Sequence, residues 1–224
     1  HRDAAASWNS LGIIAWERGD NGAAVRDVGH AVEILRNLDN EQLLPSSLFN
    51  YGMVLHSAGR DAEALTILEE TRQIRVRTIG ASHPLVGETD RMIGEVLATQ
   101  GNLEAATEHF DRAVRLTRVG FGPAHPRTWF AELSMARQLT RLGRPADALA
   151  PLQRLARHEG GGSEAPKLRW QARAYLAEAR CRLGTQERER GRNELNALQG
   201  ELRIAQPDGG VIPREVAEIR ASCP

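Results

Sequence analysis

MVLHSAGRDAEALTILEETR (residues 53–72) is followed, 42 residues later in register, by EVLATQGNLEAATEHFDRAV (95–114). IIAWERGDNGAAVRDVGHAV (13–32) and RQLTRLGRPADALAPLQRLA (137–156) carry the same text, and ARCRLGTQERERGRNELNAL (179–198) a weaker copy. The central glycines are Gly19, Gly59, Gly101, Gly143 and Gly184, at intervals of 40, 42, 42 and 41. Repeats at such a period mark stacked supersecondary units.

Each unit reads as two amphipathic helices. Apolar or small residues recur at i, i+3, i+4 and i+7 before the glycine, as in Trp8, Leu11, Gly12 and Ala15. The glycine then stops the first helix in the left-handed conformation that other residues adopt at a cost. Asp20, Asp61, Asn102 and Thr185 follow as expected N-caps, and Pro145 suits a first turn. The second helix brings a small residue, Ala24, Ala64, Ala106 or Ala148, to the crossing, and four residues on a larger one, Val28, Leu68, Phe110 or Leu152.

These residues resemble the tetratricopeptide repeat. The first unit matches the family pattern with Trp8, Leu11-Gly12, Ala15, Gly19, Ala24, Val28 and Ala31; the third matches with Ile93-Gly94, Leu97, Gly101, Ala106, Phe110 and Ala113. In the fifth, Gly191 takes the small position only after an insertion. The long period, together with Gly-x-x-His-Pro between units (GASHP, 80–84; GPAHP, 122–126), looks like the kinesin-light-chain type. The resemblance covers residues 4–204 and implies an all-α, right-handed superhelical solenoid of about five helix pairs. Repeats are expected at 4–40, 45–81, 84–121, 126–159 and 165–205, in one domain over 1–224. PREVAEIRASC (213–223) is expected to be a helix capping the apolar end of the stack.

His83 and His125 could be metal ligands or punctuation. One repeat pitch apart is about 20 Å, too far for two bonds to one ion. The structural reading is preferred: Pro84 and Pro126 open helices, and the histidines before them bond loop backbone. The two cysteines, Cys181 and Cys223, have no metal or redox spacing and read as incidental thiols, with a single bridge to the C-terminus as the alternative. Gly160-Gly161-Gly162, in HEGGGSEAP (158–166), reads as a linker, and QPDGGVIP (206–213) as the end of the fifth unit. His109, beside Glu108 and Asp111, and the run 187–192 read as solvated helix faces. No catalytic constellation, cofactor motif or metal set stands out, so no enzyme activity is expected.

Arginine and lysine together number 29, as do the acidic residues, so no global field points to nucleic acid. No run approaches 18 apolar residues, which argues against membrane insertion. The expected compartment is the cytoplasm, or the periplasm if the segment follows a transmembrane helix.

What remains is surface. In the family, first helices line a concave groove. By that resemblance the inward candidates are Asn9, Ile13 and Trp16; Phe49, Met53 and His56, with Asn50 near a clamp position; Arg91, Glu95 and Ala98; Leu133, Arg137 and Thr140; and Ala174 in the fifth unit. Trp16 reads equally as partner anchor or core residue, while Trp129 and Trp170 read as packing at repeat junctions. The lysines of the family's carboxylate clamp are absent, so the clamp is not carried over. Arg91 and Arg137 suit a peptide with acidic residues or a free carboxylate. The expected function is a protein- or peptide-binding module of a larger bacterial signalling chain. The alternatives are a ligand or signal-peptide sensor, such as the tail of a Ser/Thr kinase or transcription regulator, and a self-association scaffold.

Overall fold

Helix–turn–helix units run along the chain in the computed structural model, which describes residues 2–38, 42–157, 164–207 and 210–223. Among the described residues there are eleven helices and no strand. They are α1 (Arg2–Glu17), α2 (Asn21–Asn37), α3 (Leu44–Ser57), α4 (Asp61–Ile79), α5 (Pro84–Thr99), α6 (Leu103–Phe121), α7 (Pro126–Arg141), α8 (Pro145–Ala156), α9 (Glu164–Cys181), α10 (Thr185–Ala205) and α11 (Val211–Ser222). The expected all-α, paired-helix architecture is therefore present. The chain divides into two compact units, residues 1–120 and 121–224.

The turn glycines work as their positions imply in four units. Gly19, Gly59, Gly101 and Gly143 have φ of 82°, 74°, 84° and 73°, the region where a Cβ is penalised. Gly184 differs: it is extended, with φ −61° and ψ 170°, so the fifth turn is built differently, as its weaker text suggests. Asp20 caps α2, accepting a hydrogen bond from the Ala23 N–H at 2.9 Å. Asp61 and Thr185 correct the expectation. They are the first residues of α4 and α10, and the residues before them make no side-chain cap bond.

Close approach is what the small residues supply. Ala24, Ala64, Ala106 and Ala148 are fully buried, as are Val28, Leu68, Phe110 and Leu152. A Cβ on Gly12, Gly52 or Gly94 would stand 2.5, 2.6 or 2.8 Å from the side chain of Val28, Leu68 or Phe110. First and second helices therefore meet backbone against side chain, which is why these crossings tolerate no larger residue.

The Gly-x-x-His-Pro junctions have one geometry. Gly80 and Gly122 have φ of 88° and 91°. His83 and His125 are extended N-caps whose Nδ1 accepts from the N–H of Leu85 and Arg127, each at 3.1 Å. Pro84 and Pro126 then open α5 and α7. The histidines cap helices as an Asn or Asp would. Trp129 packs at the same junction, buried, with its indole N–H on the Pro123 carbonyl at 3.0 Å.

In the second unit a core of Leu152, Leu155, Leu168, Leu195, Leu198 and Leu202 continues under α11 through Ile212, Val216 and Ile219. The C-terminal helix begins two residues earlier than the sequence suggested. Residues 164–166, read above as linker, belong to α9, and 158–163 lie outside the described residues. Cys181, at the end of α9, and Cys223, just after α11, are joined in a disulfide. The incidental-thiol reading is thereby corrected: the bridge closes a loop of one repeat length and ties α11 to α9.

Candidate functional site

Asn9 and Arg91 stand ten residues before the turn glycines Gly19 and Gly101 on the first helices α1 and α5, and Asn50 stands nine before Gly59 on α3, one position past the equivalent Phe49. The Asn50 amide donates to the Asn9 Oδ1 at 3.0 Å. Among the described residues the Asn9 amino group, the second N–H of Asn50 and the Asn50 Oδ1 make no other side-chain bond, which is the equipment that recognises extended backbone. Arg91 is half-buried and touches the Met92 sulfur at 3.2 Å; it makes no ion pair among the described residues. Glu95 lies one turn along α5, also half-buried.

An apolar floor flanks this row. Ile13, Trp16 and Met53 are half-buried, and Trp16 and Met53 pack with Ala24, Val28 and Val54. Trp16 answers both readings. Its ring is partly in the core, and its indole N–H is committed to the Ser57 hydroxyl at 2.8 Å. His56 is held at the same end by Asp61, Nδ1 to Oδ1 2.6 Å. Phe49 and Ala98 are buried.

The second unit places its candidates otherwise. Thr140 is buried, as is Leu133, so neither presents a contact surface; the Thr140 hydroxyl has no hydrogen-bond partner among the described residues. Arg137 is engaged on three sides. Its Nε donates to Glu178 at 3.1 Å, its Nη1 to Glu215 of α11 at 2.9 Å, and its guanidinium lies 4.1 Å from the Tyr175 ring centroid. An arginine expected to await a carboxylate thus already holds two. Ala174 is buried in the core.

Asp90 forms a cluster that the sequence reading missed. Its side chain is fully buried on α5, and Arg72 of α4, His109 and Arg112 of α6 converge on one oxygen at 3.1, 2.7 and 3.3 Å. The His109 Nδ1–H donates there, which leaves Arg112 Nη2, 2.9 Å from that nitrogen, as a packing neighbour. His109 is therefore not on a solvated face, as its acidic neighbours suggested. Burial alone would raise the Asp90 carboxyl, but His109, Arg72 and Arg112 together hold it below its ordinary value. Glu187 does behave as expected, pairing along the surface with Arg180 and Arg190.

Among the described residues no group of three His, Cys, Asp or Glu could hold a metal ion, and no helix is long and apolar enough to cross a membrane.

Comparison with known proteins agrees with the helix pairs. No curated protein sequence matches the chain. Solved structures do, at identities that speak to fold alone. A putative kinesin light chain with TPR-like repeats from Podosopora anserina is 19% identical, with a TM-score of 0.63, covering 92% of this chain and 98% of that one. BtubC (BKLC) from P. vanneervenii is 14% identical, with a TM-score of 0.61, covering 95% and 78%. The Rap conjugation gene regulator of plasmid pLS20, in complex with a Phr peptide, is 13% identical, with a TM-score of 0.65, covering 100% and 64%. The tetratricopeptide repeat model matches residues 43–106 and 85–157, together about half of the sequence. With this match over the same units whose glycines and alanines pack as described, the chain belongs to the tetratricopeptide repeat family.

Proposed function

We propose that the chain is a non-catalytic protein- or peptide-binding module whose receptor surface is the face shared by α1, α3 and α5. The observation that carries this is the set Asn9, Asn50 and Arg91 on those helices. It offers a coupled amide pair on α1 and α3 and, on α5, a half-buried arginine that makes no ion pair among the described residues, with Ile13, Trp16 and Met53 half-buried on the same first helices. Side-chain amides recognise backbone of any sequence, the apolar floor selects a hydrophobic residue, and Arg91 selects a carboxylate. His56 and Glu95 border the same face. The ligand that fits is an extended peptide with one apolar anchor and an acidic residue. A structure of similar fold that holds a peptide supports the reading; the module is read as the interaction segment of a larger bacterial signalling chain. The Cys181–Cys223 bridge favours an oxidising compartment, such as the periplasm, over the cytoplasm.

The test is selection from a displayed random peptide library on the intact chain. Enriched peptides are expected to carry an acidic residue, and Arg91→Glu to weaken them about tenfold or more. Binding unchanged by Arg91→Glu would overturn the reading.

A second reading, self-association, has its own observation. Trp8, Leu11 and Ile14, at i, i+3 and i+6 of α1, are all exposed, an apolar stripe of the kind that seeks a partner. If it pairs copies of the chain, light scattering gives a mass that rises with concentration, and Leu11→Glu returns it to the monomer. A constant mass removes this reading.

A further inference from the structure

The Glu215 carboxylate is held as a bound ligand would be. Arg137 of α7 donates to its Oε1 at 2.9 Å and the Tyr175 hydroxyl of α9 to the same oxygen at 2.6 Å. Gln171 of α9 donates to Oε2 at 3.2 Å. Three donors from two successive first helices thus satisfy both oxygens of one acid. The acid comes from α11, a twelve-residue helix. Among the charged groups bonded near it are Arg137, Glu178 and Arg182, the last 3.7 Å from Glu178. The Arg137 guanidinium supplies the positive charge that a carboxylate meets at this place.

What keeps α11 in place is limited. Ile212, Val216 and Ile219 are its buried side chains. Beyond these and the Glu215 bonds, Arg220 donates to Asn196 of α10 at 2.8 Å, and the Cys181–Cys223 bridge adds a covalent tie at the end away from the backbone connection to α10. A groove of about 330 Å³ between α10 and α11 is lined by Cys223, Arg192 and Arg220, with Asn196 and Ala217. It leads from solvent to the outer sulfur, and its guanidinium groups favour an approaching thiolate. Cys181, by contrast, is buried.

We propose that Arg137, Gln171 and Tyr175 form a carboxylate-binding site that α11 fills from within the chain, and that reduction of Cys181–Cys223 opens it to an acidic residue of a partner peptide. The reductant is a dithiol. One of its thiolates attacks the Cys223 sulfur; the S–S bond breaks and Cys181 leaves as a thiolate that takes a proton. The second thiolate of the dithiol then closes on the mixed disulfide and releases Cys223 as a thiolate, which is protonated in turn. The dithiol ends as its disulfide, and two electrons and two protons reside on the cysteines. The bridge is then gone; α11 stays joined to α10 by the backbone and by the Arg220–Asn196 bond, it competes for its own site through three apolar side chains and one acid, and a partner acid of the same chemistry displaces it. The site uses none of the α1–α3–α5 residues, so it stands or falls apart from that surface.

The test uses the full chain, oxidised or treated with dithiothreitol. Hydrogen exchange is read on residues 211–222. Binding is read by anisotropy with a labelled synthetic peptide of residues 211–222 and with its Glu215→Gln form. Reduction is expected to strip protection from 211–222 while α7 and α9 keep theirs. The peptide should bind the reduced chain about tenfold tighter than the oxidised one, and the Glu215→Gln peptide should lose about tenfold. A chain carrying Cys223→Ser should behave as reduced without any dithiol, and adding Glu215→Gln to that chain, which weakens the internal competitor, should raise peptide affinity again. Unchanged protection of 211–222 on reduction, equal binding to both redox forms, or equal binding of the two peptides would each overturn the proposal.

Discussion

Arg91 and Arg137 both lie on first helices, ten and six residues before their turn glycines, and they differ in what meets them. Arg91, on α5, has no carboxylate beside it among the described residues, whereas Arg137, on α7, is sandwiched between Glu178 and Glu215 over Tyr175. Position on a first helix fixes which way a side chain points but not what meets it there. In the first unit Arg91 meets no acid among the described residues; in the second, α11 brings its own acid to Arg137. First helices of similar sequence therefore present different chemistry.

The strongest way to break the comparison is to remove what holds the occupant. The bridge closes a 42-residue separation, and the chain-entropy account of such a loop gives about 4 kcal/mol. Cys223→Ser is expected to lower the urea stability of the second unit by up to that amount and to leave the first unit unchanged. Next comes Asp90→Ala, which destroys the convergence point of Arg72, His109 and Arg112 in the first unit. Losing a buried acid beneath partly exposed cations should cost about 3 kcal/mol, again by urea denaturation, now with the second unit unaffected.

The pH dependence of Asp90 follows from its lowered carboxyl. The folded value lies below the unfolded one, so the cluster contributes its full stability above the ordinary carboxylate range. That contribution is lost only as pH falls through the lower folded value. Thermal melting of the first unit should fall steeply below about pH 4, and Asp90→Asn should flatten that fall. An equally steep fall in the variant would assign it to other carboxylates.

A smaller effect separates the two arginines. Arg137→Ala leaves Glu178 and Glu215 facing each other without their shared donor, for an expected loss of about 2 kcal/mol. Arg91→Ala should fall within about 0.5 kcal/mol, as at surface sites without partners. Equal losses at the two positions would mean that Arg91 is also spoken for.

How much of this was legible depends on how far each contact reaches. The turn glycines, the Ala24–Val28 and Ala106–Phe110 pairs and the prolines of α5 and α7 are local. They depend on helix period and turn chemistry, and the sequence carries both. The partners of Arg137 lie 41 and 78 residues away, and no local pattern could show that Glu215 rather than solvent meets it. Asp90 draws on residues 18, 19 and 22 positions off, from two other helices. One long-range signal was lost to the expected pitch of about 20 Å between residues one repeat apart: Trp16–Ser57, Asn9–Asn50 and Arg137–Glu178, each 41 residues apart, are in contact, and Cys181 and Cys223, 42 apart, are bonded. Thr140 was misplaced because a spacing of three or four names a helix face without its edges, and one step around the helix separates groove from core.

The smallest effect tests the junctions that the two units share. His83 caps α5 and His125 caps α7 through the same Nδ1 bond at 3.1 Å, although the residues they cap differ in exposure. His83→Ala and His125→Ala each remove one acceptor from a helix start, where loss of a side-chain cap costs about 1 kcal/mol. His83→Asn, whose Oδ1 reaches the same N–H, should recover most of that loss. If the Ala variants melt like the parent chain, the bond is incidental and the proline alone starts the helix. If Ala destabilises and Asn restores, the histidine is held at each junction by its unprotonated nitrogen.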